Sequence, residues 1–168
     1  MVNFKRLFTH LFFLPGTYTR AFSAPVLQAI EAEIGASENL HTGELRFAIE
    51  TTLPFGALWR GMSGRSRALE VFSNMGVWDT EANSGVLIYV LLADRDIEIV
   101  ADRGLAAQVD QREWDQIAQI MEQAFHAGEF EQGALAGIRV ITDLLVRHFP
   151  PSGNNPDELS NRPVLLRR

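Results

Sequence analysis

Residues 85–92, Gly-Val-Leu-Ile-Tyr-Val-Leu-Leu, carry no polar position on either face of an extended chain. A strand that is apolar on both sides belongs in the middle of a sheet covered by two layers. Leu87, Tyr89 and Leu91 form one face, and Val86, Ile88 and Val90 the other. The tetrapeptide Ala93-Asp94-Arg95-Asp96 then turns the chain into Ile97–Ala101, which predicts an antiparallel hairpin.

Upstream, residues 44–50 switch to period two. Leu45, Phe47 and Ile49 alternate with Arg46, Ala48 and Glu50, which predicts a strand with unequal faces. Between the two strands, Ala68, Leu69, Phe72 and Met75 fall at helical spacing, with Gly76 as the stop. A strand, a helix and a second strand in that order make a right-handed parallel crossover. Ser23 and Pro25 open a further helix with Val26, Leu27, Ile30 and Ile34 on one stripe, running to about Ser37. Asp110 and Glu113 form a capping pair for a helix striped by Trp114, Ile117, Met121, Ala124 and Phe125, which Gly128 ends. A last helix carries Ala134, Ile138, Ile141 and Leu145 and stops at Pro150-Pro151. This order predicts a three-layer α/β/α sandwich around a small mixed sheet, in a single domain spanning 23–150. Residues 1–22 form an N-terminal amphipathic segment. Residues 151–168 form a Pro/Asn-rich tail in which Val164-Leu165-Leu166 is expected as an extended strap.

The chain has 168 residues, 46% apolar and 21% charged, with no cysteine. Thiol catalysis, thiolate metal sites and disulfides are therefore excluded. The formal charge of −6 is uneven: residues 1–22 hold Lys5, Arg6 and Arg20 and no acid, and residues 159–168 hold three arginines and no acid. The segment between carries nine cations against 21 acids, a net of −12. An acidic body disfavours nucleic acid as a partner, because attraction to phosphates supplies that affinity. The longest apolar run, 85–93, is too short to span a bilayer.

In the N-terminal segment Phe4, Leu7, Phe8, Leu11 and Phe12 share one helical face, and Pro15-Gly16 ends the run. The expectation is a short amphipathic helix docked on the domain, with attachment to a membrane surface as the next reading. A secretory signal cleaved at Ala21-Phe22-Ser23 is the rival. Thr9 and His10 interrupt its apolar region and Pro15–Arg20 makes a poor cleavage approach, so the segment is expected to stay on a cytoplasmic protein.

The four histidines, His10, His41, His126 and His148, lie on separate elements and are expected to be structural. Gly61-Met62-Ser63-Gly64 lacks the Lys-Ser/Thr of a phosphate loop, and no Gly-x-Ser-x-Gly elbow occurs. Trp78 and Trp114 are expected in the core. Trp59 is the better candidate for a surface contact, although burial is expected there too. What remains is carboxylates at strand ends. The hairpin brings Asp79 and Glu81, before the central strand, towards Asp102 after its partner. Three such carboxylates could hold a hard cation, Ca²⁺ or Mg²⁺, that activates water on a phosphate ester. The first expectation for them is nevertheless the structural one, turn formers bonded to local backbone, with the metal site as the alternative. Glu50, Asp94 and Asp96 form a weaker group of the same type at the opposite edge.

The runs ENLHTGELRFAIE (38–50), WDTEANSGVLIYV and EIVADRG within 67–104, and HFPPSGNNPDEL (148–159) together resemble the TPM domain family. Thr42-Gly43-Glu44 is similar to the family's entry to its first strand, and Ser84-Gly85-Val86-Leu87 to its Asn-Gly-Val-Leu, with Ser84 in place of Asn. Asp102-Arg103-Gly104-Leu105 resembles the turn after the hairpin, where many exported members have Gly-x-Gly-Leu-Glu. The resemblance implies an α/β/α sandwich and the shorter, cytoplasmic branch. It also implies one of two roles: a binding or accessory module in membrane-protein maintenance, or the acid phosphatase activity attributed to some plant members. The expected partner is a protein or a membrane surface.

Overall fold

The computed structural model describes residues 4–13, 16, 20–151 and 158–166. Its elements run α1 (Phe4–Leu11), α2 (Ala24–Glu38), β1 (Glu44–Glu50), α3 (Phe55–Trp59), α4 (Gly64–Asn74), β2 (Gly85–Leu91), β3 (Asp96–Ala101), α5 (Arg103–Ala106), α6 (Gln111–His126), α7 (Phe130–His148) and β4 (Val164–Leu166). The sheet order is β3-β2-β1-β4. β2 pairs parallel with β1, Glu44 opposite Gly85, and antiparallel with β3, Val86 opposite Ala101. The strap becomes a fourth strand, parallel to β1, with Ala48 opposite Val164.

The two faces of β2 divide the core as the alternation requires. Val86, Ile88 and Val90 join Ile30 and Ile34 of α2, Trp114, Ile117 and Met121 of α6, and Ile138 and Ile141 of α7. Leu87, Tyr89 and Leu91 join Ala57 and Leu58 of α3 and Ala68, Val71 and Phe72 of α4. The result is a mixed sheet between two helical layers in one domain, as the sequence predicts.

Three expectations change. β1 is buried at all seven positions rather than having unequal faces, because helices cover both sides of it: Leu45, Phe47 and Ile49 join the α2, α6 and α7 layer and Ala48 the α3 and α4 layer, while β4 pairs along its end at Ala48–Glu50. Its polar residues are buried with partners: Glu44 accepts the backbone N–H groups of Glu158 and Leu159, at 3.3 and 3.0 Å. The stretch between Pro54 and Gly64 contains the short helix α3. Of the tryptophans only Trp114 is in the core, whereas Trp78 and Trp59 are more than half exposed. Trp78 follows the αL turn at Gly76 (φ +66°), which carries the chain off α4, and its Nε1 bonds the Ser73 carbonyl at 3.3 Å. Smaller differences lie at the helix starts. Ser23 makes no side-chain cap bond, while Ser63 caps α4 by accepting the Ser66 N–H at 3.0 Å.

Candidate functional site

The two ends of the sheet hold the two groups of carboxylates, and the structure treats them differently. At the start of β2, Asp79 and Glu81 are exposed, and the Glu81 backbone N–H donates to the Glu158 carboxylate at 3.0 Å. Asp102 is buried and caps α5, its Oδ1 accepting the Arg103 N–H at 2.7 Å. Its Oδ2 is also buried and makes no hydrogen bond among the described residues. The turn around it is tightly fitted: the Gly104 N–H donates to the Asn83 carbonyl at 3.1 Å, and a Cβ on Gly104 would lie 2.5 Å from that oxygen. Asn83 holds φ +52° and its Oδ1 accepts from Arg103 Nε at 2.7 Å. Asp79, Glu81 and Asp102 thus share one end of the sheet, two in solvent and one buried. Among the described residues no three His, Asp or Glu side chains form a group that could hold a metal ion.

At the carboxyl ends of β1 and β2, where open α/β sheets place their ligand crevices, Glu50 and Asp94 each have their own counterpart. Glu50 is buried and accepts a fork from Arg67, Nε to Oε2 at 2.8 Å and Nη2 to Oε1 at 2.9 Å. The Tyr89 hydroxyl donates to Oε2 at 2.6 Å. Burial, then the neighbouring Glu50 carboxylate, pushes the Tyr89 hydroxyl up, and the bond to Glu50 raises Arg67 further. The phenol therefore stays a donor and the guanidinium stays charged, so the cluster is one ion pair with a neutral third member. Asp96 is pushed up by burial and then by the charges of Glu122 and Asp94, and lies against Gly64.

Asp94 is claimed by the N-terminal helix. Arg6 Nε reaches Oδ1 and Oδ2 at 3.1 and 2.9 Å, Arg6 Nη2 reaches Oδ2 at 2.6 Å, and His10 Nε2 reaches Oδ1 at 2.9 Å. The Leu53 N–H donates to His10 Nδ1 at 3.1 Å, which fixes the ring as the tautomer donating from Nε2 to Asp94. Burial works against the charge on Asp94. The hydrogen bonds from His10 and Arg6, with the Arg6 charge, together outweigh it and hold the carboxyl at about 2. Arg6 also donates to the Met62 carbonyl. The helix is thereby tied to both flanks of α3.

This docking inverts the expected one. At about 100° per residue, Arg6 and His10 lie about 150° around the helix from the centre of the Phe4, Leu7, Phe8, Leu11, Phe12 stripe. The polar side faces the domain, and Leu7 is the stripe residue that packs on the core. Phe4, Phe8, Leu11 and Phe12 are 58–68% exposed, and Phe8 and Phe12 stack at 5.3 Å. On neighbouring α3 a second exposed pair, Phe55 and Trp59, stacks at 6.0 Å. Sequence periodicity identifies the stripe but not its direction, because which side of α1 is buried depends on Asp94, 84 residues beyond His10. The Phe55 and Trp59 i, i+4 spacing after Pro54 was the available signal for the second pair.

The histidines are structural where buried. His41, pushed down to about 4 by burial, accepts the Gly43 N–H at Nδ1 (3.2 Å) and donates from Nε2 to Ser37 Oγ (2.7 Å). Ser37 passes the chain to Thr142 Oγ1 at 2.6 Å, and Thr142 donates to the Ile138 carbonyl at 2.8 Å, tying α2 to α7.

The TPM domain family matches residues 17–144. The NMR structure of the BA42 protein from the psychrophilic bacterium Bizionia argentinensis superposes with a TM-score of 0.75 at 30% identity, covering 85% of this chain and 94% of that one. The solution structure of the N-terminal domain of a P. gingivalis protein superposes with a TM-score of 0.62 at 16% identity, covering 77% and 82%, a likeness of fold. No curated protein matches the chain.

Proposed function

The chain belongs to the TPM domain family, and from that premise we propose that it acts as a binding or accessory module which presents the aromatic surface of α1 and α3 to a partner. The observation that supports this reading is the inverted docking of α1. A free-energy minimum for a short amphipathic helix ordinarily buries its apolar side. Here a charged latch holds that side outward, so the large exposed rings of Phe4, Phe8, Phe12, Phe55 and Trp59 are available for contact. The family resemblance adds membrane-protein maintenance as the setting. No described helix is long and apolar enough to cross a membrane, and in this reading the protein works in the cytoplasm against the membrane face.

One observation favours a second reading. The buried Asp102 Oδ2 without a partner among the described residues suits a cation, and Asp79 and Glu81, exposed at the same end of the sheet and not grouped with it in this arrangement, would have to close on it to complete a shell with Ca²⁺ or Mg²⁺. That ion would polarise a phosphoryl oxygen and activate water in an acid phosphatase. Hydrolysis of p-nitrophenyl phosphate, with and without each cation, separates the two. The module reading expects no turnover above buffer. Metal-dependent turnover that disappears in Asp102→Asn overturns it in favour of the phosphatase.

A further inference from the structure

Resting on the module reading, we infer that the α1 and α3 surface docks on the interface of a lipid bilayer that carries anionic headgroups, with α1 lying in the membrane plane. The first support is the character of the exposed side chains. α1 offers Phe4, Phe8 and Leu11 along one stripe, Phe12 continues it just past the helix end, and α3 adds a phenylalanine and a tryptophan. Aromatic rings on an in-plane amphipathic helix partition to the boundary of headgroups and acyl chains, to a depth that a short helix can reach. The second support is charge. Residues 1–30 and 51–69 contain no acidic residue, although the chain carries a formal charge of −6. These two segments supply α1, α3 and their flanks. Within them Arg6 bonds Asp94, Arg65 bonds Glu98, and Arg67 bonds Glu50. Lys5 and Arg60 are exposed and make no ion pair among the described residues, so each is available to a lipid phosphate. The acidic remainder of the protein orients the approach, because it is repelled by the surface that attracts this end.

The same charge pattern argues against a second copy as the occupant. A two-fold interface sets each patch against itself. Lys5 and Arg60 would then face their own copies with no acid on either segment to offset them. Anionic headgroups supply the missing charge, at about fivefold in partitioning per exposed cation, equivalent to about 1 kcal/mol.

The test is flotation of the full chain with two vesicle preparations at matched ionic strength, one of phosphatidylcholine alone and one of equal parts phosphatidylcholine and phosphatidylglycerol. The wild-type chain is expected to float with the anionic vesicles, and about tenfold or more less with the neutral ones. The Phe8→Ser, Phe12→Ser double variant should lose about tenfold or more in partitioning with its melting temperature unchanged, since both rings are exposed. The Lys5→Gln, Arg60→Gln double variant should narrow the gap between the two lipids. Failure of the wild type to float, or flotation that the phenylalanine variant leaves intact, overturns the inference. So does binding that requires vesicles reconstituted with membrane proteins, which assigns the face to a protein. Concentration-dependent dimers lost in the phenylalanine variant assign it to a second copy and also overturn it. Metal-dependent phosphatase turnover alongside intact flotation would overturn the module reading and leave the docking standing.

Discussion

Replacing Asp94 by Asn removes the charge that holds α1 in place and keeps the shape of the side chain. In the folded protein the carboxyl sits at about 2 against an ordinary 3.8, despite burial, because Arg6 and His10 bond the charged form. The difference corresponds to about 2 kcal/mol of stabilisation. The sign follows from the depressed value: the contribution is fully present above about pH 4 and is lost as pH falls towards 2. The groups involved are only 17–22% exposed at Asp94 and Arg6, so solvent screens the pair weakly. Because the latch joins one eight-residue helix to the domain, its loss is expected as local release rather than unfolding. About 2 kcal/mol shifts the docking equilibrium by about thirtyfold. The Leu53 amide is the reporter, since its bond to His10 exists only while α1 is docked. In Asp94→Asn, hydrogen exchange at Leu53 should accelerate by between about tenfold and a hundredfold at neutral pH, with the β2 amides of Leu87 and Ile88 as protected as before. An unchanged Leu53 rate, or an equal acceleration of every amide, would refute the reasoning.

Two further predictions concern the core. Phe22 is buried and packs against Phe47, Phe125 and Phe130 at 6.1, 5.8 and 5.9 Å, so Phe22→Ala should cost about 3–5 kcal/mol. That lowers the melting temperature by on the order of 10 °C, read by calorimetry; the same contacts lead us to expect the segment through Phe22 in the protein from its own cells, which intact mass spectrometry reads. Arg67→Met should cost about 3–5 kcal/mol in urea unfolding, because it strands the buried Glu50 carboxylate. Restoring the balance with Glu50→Gln in the same chain should recover part of that loss.

The architecture was legible because it rests on local periodicity. The all-apolar 85–92 run, the turn at 93–96 and the helical stripes fix a covered strand, a hairpin and two helical layers without any long-range information. β1 was misread for the opposite reason. Arg46 and Glu50 look like a solvent face until Arg67 and Tyr89, from other elements, supply partners for Glu50. The same holds for α1. Its stripe is visible at helical spacing, yet its direction is set by a carboxylate far along the chain. The carboxylates could be located at sheet ends from the hairpin alone, and the turn role anticipated for Asp102 is present in its bond to the Arg103 N–H. Which of them had private counterparts depended on tertiary contacts that no spacing encodes.

The outward face of α1 is the premise on which the docking surface stands, and the protein's lack of cysteine allows it to be measured directly. Phe8→Cys and Phe12→Cys each introduce a single thiol on the stripe, and the rate of their reaction with a neutral disulfide reagent reads accessibility in the native state. The account predicts rates within about threefold of a short unstructured peptide thiol, since Phe8 and Phe12 are 63% and 66% exposed. Protection of both thiols by about a hundredfold or more, released only on unfolding, would mean that the apolar stripe faces the domain, and would contradict it.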